Sequence, residues 1–180
     1  MNAFEDIVAY YFEEEGYWVR QSVKVNISKE DKKILGLPSM PRPEIDLVAL
    51  KVKENTLLLV EAKSYLDSPG VRFDDVTGEN PDAAKRYRLF TNPRFREIVT
   101  KKLQEDYLEQ GLINAGTRIN YALAAGNVYA NDEARIQDYF QKNGWLFVSP
   151  QQIKEKIKKL AAKGWEDSLI TITAKLILKN

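Results

Sequence analysis

Apolar residues recur at helical spacing from the first turn of the chain. Phe4, Ile7, Val8, Tyr11 and Phe12 fall on one face and Gly16 follows as a stop signal, which predicts a helix over residues 3–15. The period then changes. Residues 17–27 (YWVRQSVKVNI) alternate as a strand does, with Trp18, Val23 and Val25 among their strong β formers. Residues 28–43 carry three prolines and a glycine without a clean period and read as a long loop. Two apolar runs, EIDLVALKV (44–52) and TLLLVEAK (56–63), flank the polar turn Lys53-Glu54-Asn55 and predict a hairpin.

Residues 64–80, with Pro69, Gly70 and Gly78, read as loop, and residues 81–111 as helix with a break at Asn92-Pro93. Beyond them the pattern predicts strand (117–128), helix (132–143), strand (145–148) and helix (150–163). The last helix opens with Ser149 as N-cap, Pro150 at the first helical position and Gln152 two residues on. The tail, SLITITAKLILK, alternates Ile170, Ile172, Ala174, Leu176 and Leu178 as a strand would. It equally places Leu169, Ile172 and Leu176 on one side of a helix, and both types stay open. No internal repeat interrupts this order, which is that of one α/β domain over residues 1–180.

Composition narrows the chemistry. The chain has no Cys and no His, which excludes Cys/His zinc sites, thiol nucleophiles, disulfides, Ser-His-Asp triads and any mechanism that needs an imidazole. What remains is carboxylates, amines, hydroxyls or an oxygen-ligated metal. Lys and Arg number 27 against 26 Asp and Glu, so affinity for a polyanion must come from a local patch. The N-terminus, MNAFEDIVAY, has neither a secretory nor a transit pattern, and no apolar run approaches the roughly 18 residues that span a bilayer; the expected location is the cytoplasm, away from membranes.

Asp46, Glu61 and Lys63 each place a charge within or at the end of an otherwise apolar strand, where desolvation is costly unless the charge is paired. A turn centred on Glu54-Asn55 sets Asp46 opposite Lys63 and Val48 opposite Glu61, and period-two alternation puts all three charged side chains on one face. Two carboxylates can hold Mg²⁺ through oxygen, and an adjacent Lys can position a water or offset charge on phosphorus, which suits phosphodiester hydrolysis.

Pro43-Glu44-Ile45-Asp46, followed after fourteen residues by Glu61-Ala62-Lys63 at the end of the second strand, resembles the PD-(D/E)XK nuclease superfamily. That superfamily includes type II restriction enzymes, Mrr-like restriction proteins and Holliday-junction resolvases; the nearest branches are the Mrr-like and resolvase-like ones. Glu5 stands where many members carry an acidic residue on the first helix. The resemblance implies a restriction-endonuclease-like core, α/β with a central mixed sheet flanked by helices. It also implies that Asp46 and Glu61 bind Mg²⁺ or Mn²⁺, that Lys63 serves the attacking water, and that Glu5 acts on the metal through water or on Lys63. The Pro-Asp dipeptide of the motif is replaced here by Ile45-Asp46, with Pro43 three residues before Asp46. Glu30-Asp31-Lys32 repeats the Glu-x-Lys spacing in a polar segment without a partner Asp, and is a decoy.

From Lys85 to Lys102 seven cations stand against Glu97 alone, with Tyr87, Phe90 and Phe95 interleaved. Lys85, Arg86, Arg88, Arg94 and Arg96 are the candidate phosphate contacts; a solvated helix face is the competing reading, and the aromatics are assigned to the core. Lys154, Lys156, Lys158, Lys159 and Lys163 are assigned to ordinary solvated surface. The expected activity is a Mg²⁺-dependent endonuclease acting on DNA, with a homodimer left open. The alternatives are a non-cutting nucleic-acid module of the same fold and a protein-interaction subunit.

Overall fold

A computed structural model describes residues 2–178 of the chain. Five strands form one sheet in sequence order: β1 (Trp18–Lys24), β2 (Glu44–Lys51), β3 (Thr56–Lys63), β4 (Arg118–Ala125) and β5 (Leu146–Val148). The first three make an antiparallel meander, and β4 and β5 then run parallel to β3. β3 is therefore the seam between the two kinds of pairing.

The helices are α1 (Ala3–Glu14), α2 (Lys29–Ile34), α3 (Phe73–Thr77), α4 (Pro81–Ala84), α5 (Arg88–Thr91), α6 (Pro93–Glu109), α7 (Asp132–Lys142), α8 (Pro150–Ala161) and α9 (Leu169–Leu178). Parallel neighbours need crossovers; α3 to α6 supply the one between β3 and β4, and α7 supplies the next.

Because side chains alternate along a strand, β3 feeds two cores. Leu57 and Leu59 pack with Leu89, Phe95, Val99, Leu103, Ile136 and Phe140 from the crossover helices. Leu58, Val60 and Ala62 pack with Phe4, Val8 and Phe12 of α1 and Ile153 of α8 on the other face. A strand buried on both sides must be apolar throughout, which is why LLLV lacks a polar position. The sheet is thus a mixed one flanked by helices on both faces, as the α/β pattern predicts.

The hairpin register differs from the expected one by two residues. Lys51 pairs with Thr56, and Leu47 with Val60, because residues 52–54 form a helical turn and Asn55 takes a left-handed conformation (φ 48°), so the loop is longer than a two-residue turn. A shift of two preserves which face each side chain takes. Asp46 therefore stays beside Glu61 and Lys63, but now lies opposite Glu61 and not Lys63.

Two segments read as loops contain short helices, α2 and α3. α2 is closed by a capping box in which the Ser28 hydroxyl accepts from the Asp31 N–H at 2.9 Å and the Asp31 carboxylate accepts from the Ser28 N–H at 3.2 Å. The decoy acid Asp31 thus serves as a cap. The tail is helical: α9 buries Thr171 and Ala174 and leaves Leu169, Leu176 and Ile177 exposed. Lys179, the last residue of the alternating tail, lies outside the described residues, as does Met1.

Candidate active site

The end of β3 carries Glu61, Ala62 and Lys63 past the last fully buried Val60. Glu61 and Lys63 continue the row of Leu57 and Leu59, and Asp46 continues that of Val48, so all three point toward the crossover layer. Asp46 Oδ2 accepts a hydrogen bond from the Ala62 backbone N–H at 2.8 Å. Lys63 Nζ donates to Glu61 Oε1 and lies 4.0 Å from Asp46 Oδ2. The side chains of Glu61, Lys63 and Asp46 are only 15%, 18% and 21% exposed, so the screening that makes surface ion pairs nearly worthless does not apply.

Burial, ahead of any imbalance of charge, sets the electrostatics of the three carboxylates. Burial lifts Glu61 to about 7; Lys63 opposes the lift, while Asp46 and Glu5 add to it. Burial raises Asp46 as well, against the pull of Lys63 and the Ala62 N–H. Burial works to lower Lys63, but Glu61 and Asp46 outweigh it and hold the ammonium above its ordinary value. Glu5 is raised by burial first and then by Asp46.

Glu5 reaches this field from the opposite helical layer. The Asn2 side chain caps α1 by accepting from the Phe4 N–H at 3.0 Å. Gln21 of β1 then donates to the Asp6 carboxylate at 3.0 Å and the Glu5 carbonyl at 3.4 Å, which ties the first turn to the sheet. β1 itself leaves the extended conformation at Ser22 (φ 51°), which lies between the partners of Leu47 and Ile45 and so opposite Asp46. Such a left-handed, non-glycine residue inside a strand costs of order 1 kcal/mol and is found where geometry is imposed by a site.

Hard oxygen donors on two adjacent strands, with raised carboxyl pKa values, fit a divalent cation. Among the described residues no three carboxylates close on a single point. Two are enough for Mg²⁺, which keeps several of its waters and typically takes one or two carboxylates.

A cleft of about 700 Å³ has Glu61 in its lining, together with Lys24, Arg42, Lys85, Arg86 and Arg88. Three of the expected phosphate contacts, Lys85, Arg86 and Arg88, are thus brought to the carboxylates. Two are not. Arg94 lines a separate depression with Lys101 and Lys102. Arg96 donates to the carbonyls of Leu89 at 2.8 Å and Phe90 at 3.3 Å, and its guanidinium lies 5.0 Å from the Trp145 ring centroid, so it holds the turn between α5 and α6.

Arg42 and Lys24 escape the sequence reading because neither belongs to a basic run. The available signal was topological: Arg42 precedes Asp46 by four residues, and Lys24 pairs across the sheet with Glu44. In the second basic run, Lys156 pairs with Glu15 and Lys163 with Glu14 at 2.6 Å, so part of that run joins α8 and its C-terminal end to α1. Among the described residues no helix is long and apolar enough to cross a membrane. Comparison with models of protein families, with curated proteins and with solved structures finds no match for this chain.

Proposed function

We propose that this chain is a metal-dependent nuclease of the PD-(D/E)XK type, cutting phosphodiester bonds in DNA. The observation that carries the reading is the desolvated Asp46, Glu61 and Lys63 cluster opening into a cleft walled by five cations. Burying two carboxylates and an amine together contributes little to stability, because the desolvation penalty offsets most of the attraction. A cluster of this kind is better accounted for by chemistry. The helix-flanked mixed sheet agrees with the core that the resemblance implies.

In this reading Asp46 and Glu61 hold Mg²⁺ or Mn²⁺, which when bound polarises the phosphoryl group and acidifies a water. Lys63 orients that water and offsets charge on the phosphoryl oxygens. Glu5 adds to the raised proton affinity of Glu61, so that a cation is held more readily there once the carboxylate is ionised. Arg42 and Lys24 on one stretch of chain, with Lys85, Arg86 and Arg88 on another, grip the phosphates on either side of the bond to be cut.

The test is digestion of linear duplex, nicked, branched and single-stranded DNA with Mg²⁺ or Mn²⁺ by the parent, Asp46→Asn and Glu61→Gln. Cleavage by the parent alone supports the reading. Absence of metal-dependent cleavage of all four substrates, or full activity in either variant, overturns it.

A further inference from the structure

Tyr87, in the link between α4 and α5, is fully buried. Among the described residues no group stands in good hydrogen-bonding geometry to its hydroxyl, and the Tyr65 phenol is near enough to act on it. A buried hydroxyl without a partner destabilises the fold, and such groups are rare enough that each calls for a reason. The reason here is adjacent: Lys63 Nζ lies 5.9 Å from the centroid of the Tyr87 ring, at the outer limit of a cation–π contact. Tyr65, which packs on the same core two residues beyond Lys63, is held in a left-handed conformation (φ 44°).

Lys63 now donates to Glu61 and lies 4.0 Å from Asp46, between the two carboxylates that the proposed metal needs. A divalent cation on Asp46 and Glu61 would face the ammonium at close range, and the two cations cannot share those oxygens without strong repulsion. The Lys63 side chain is mostly buried, so protein groups make up most of its surroundings. The groups that face it besides Glu61 and Asp46 are the Tyr87 ring and the Tyr65 phenol.

We infer that Tyr87 is the positioning residue for Lys63: when Asp46 and Glu61 take up a divalent cation, the ammonium moves onto the ring and hydroxyl of Tyr87, which hold it beside the attacking water. This rests on the nuclease reading above. The unpartnered hydroxyl is then a hydrogen-bond acceptor kept in reserve for the loaded state, and its cost to the metal-free fold is the cost of that reserve.

The experiment uses the full chain labelled with ¹³C at the lysine ε-carbons, the Lys63 signal being identified by its loss in Lys63→Met, and Mg²⁺ alone as the probe. Saturating Mg²⁺ should move the Lys63 signal upfield by the ring current and bring it into dipolar contact with the Tyr87 ring protons. Tyr87→Leu should abolish both effects while calorimetry still detects Mg²⁺ binding. Tyr87→Phe keeps the ring and removes the unpartnered hydroxyl. It should melt at or above the parent temperature, retain the upfield shift, and lower kcat about tenfold with KM within about twofold. A purely structural tyrosine would do the reverse, losing stability first and leaving kcat per folded molecule unchanged.

A Lys63 signal that does not move at saturating Mg²⁺, or a shift that survives in Tyr87→Leu, overturns the inference and leaves the nuclease reading standing. Absence of Mg²⁺ binding by calorimetry overturns both. Should Tyr87→Leu fail to fold, the combination of kcat and melting temperature in Tyr87→Phe decides alone.

Discussion

The Asp46 carboxylate is fastened to the Ala62 backbone N–H, 2.8 Å away, so one of its oxygens is spent on holding the strand that carries Glu61 and Lys63. The other oxygen makes no hydrogen bond among the described residues and is free to take a ligand. This dual use separates two effects that a single substitution usually confounds. Asp46→Asn retains an acceptor for Ala62 but no charge, and should fold as the parent does while losing cleavage by about 10²-fold or more. Asp46→Ala leaves the Ala62 N–H unpaired and should lose the same activity together with about 1–3 kcal/mol of stability, read from denaturant unfolding. Glu61→Gln and Lys63→Ala should also lose cleavage, and Glu5→Ala part of it. Full activity in Asp46→Asn would exclude the carboxylate from the chemistry.

The pH dependence follows from the raised carboxyls. Glu61 titrates near 7 when folded, above its ordinary 4.5, and Asp46 and Glu5 shift in the same direction. A raised carboxyl binds its proton more tightly in the folded state. Its stabilising effect is therefore complete below the ordinary value and is lost as pH rises through the folded one. For Glu61 the loss between about pH 4.5 and 7 is of order 3 kcal/mol in the metal-free protein. Mg²⁺ competes with that proton, so it should raise the melting temperature more at about pH 8 than at about pH 5.5. Calorimetric scans at both pH values check this, and equal Mg²⁺ effects at the two would contradict the assignment.

On the nuclease reading the cations divide into phosphate contacts and scaffolding. Arg42→Ala and Lys85→Ala should each weaken DNA binding about equally across sequences and reduce the log–log salt slope by about one. Arg96→Ala should leave that slope unchanged and instead cost about 1–3 kcal/mol, since its donors are engaged by the Leu89 and Phe90 carbonyls. Binding titrations over a range of salt, beside unfolding curves, distinguish the two behaviours. An unchanged slope in both Arg42→Ala and Lys85→Ala would place the nucleic-acid surface elsewhere.

Metal should govern binding separately from cutting. With EDTA, Asp46 and Glu61 confront the phosphate with two carboxylates that the single Lys63 ammonium offsets only in part; Ca²⁺ should relieve this and tighten DNA binding by roughly tenfold, the equivalent of about 1.4 kcal/mol. Ca²⁺ should nevertheless support little cleavage, because its longer and looser coordination neither acidifies water as Mg²⁺ does nor fixes in-line geometry. Affinity measured in EDTA, Ca²⁺ and Mg²⁺, with products followed in parallel, tests both halves. Indifference of binding to metal would favour a non-cutting module.

The elements that carry the site were readable because their signals are local and strong. The continuous apolar run of β3, broken only at Glu61 and Lys63, has no other explanation than a strand buried on both faces that ends at something polar. The hairpin register was not readable to the residue, since it depends on whether Asn55 turns left-handed, and that is stabilised by its contacts with Asn114 and Thr117 far along the chain. Parity survived because an error of two keeps every side chain on its face. Arg96 looked like its neighbours Arg88 and Arg94 in sequence; only packing against Trp145 and two carbonyls separates them. The tail stayed ambiguous because its β-branched residues fit a strand, whereas the helix it forms is chosen by burial of Thr171 and Ala174. Tyr87 was rightly placed in the core, but nothing in a sequence marks which core hydroxyl lacks a partner.

β3 is the seam strand, antiparallel to β2 and parallel to β4, and this gathers the segments that follow β1, precede β2 and follow β3 and β4 at one end of the sheet. The turn at 52–55 and the entry to β4 occupy the other end. The loops at the first end brace one another, as where Val71 N–H donates to Asn127 O at 3.0 Å and Tyr129 N–H to Val71 O at 2.9 Å, while the Asp46 carboxylate is held by Ala62 of β3 and Glu61 by Lys63 of the same strand. On the nuclease reading, chemistry then sits on the strands and recognition on the loop between β1 and β2. On that same reading, residues 28–42, none of them buried, can be lengthened, shortened or exchanged to fit a different nucleic-acid shape, whereas Tyr65 and Val71 stay tied to Lys63 and the core.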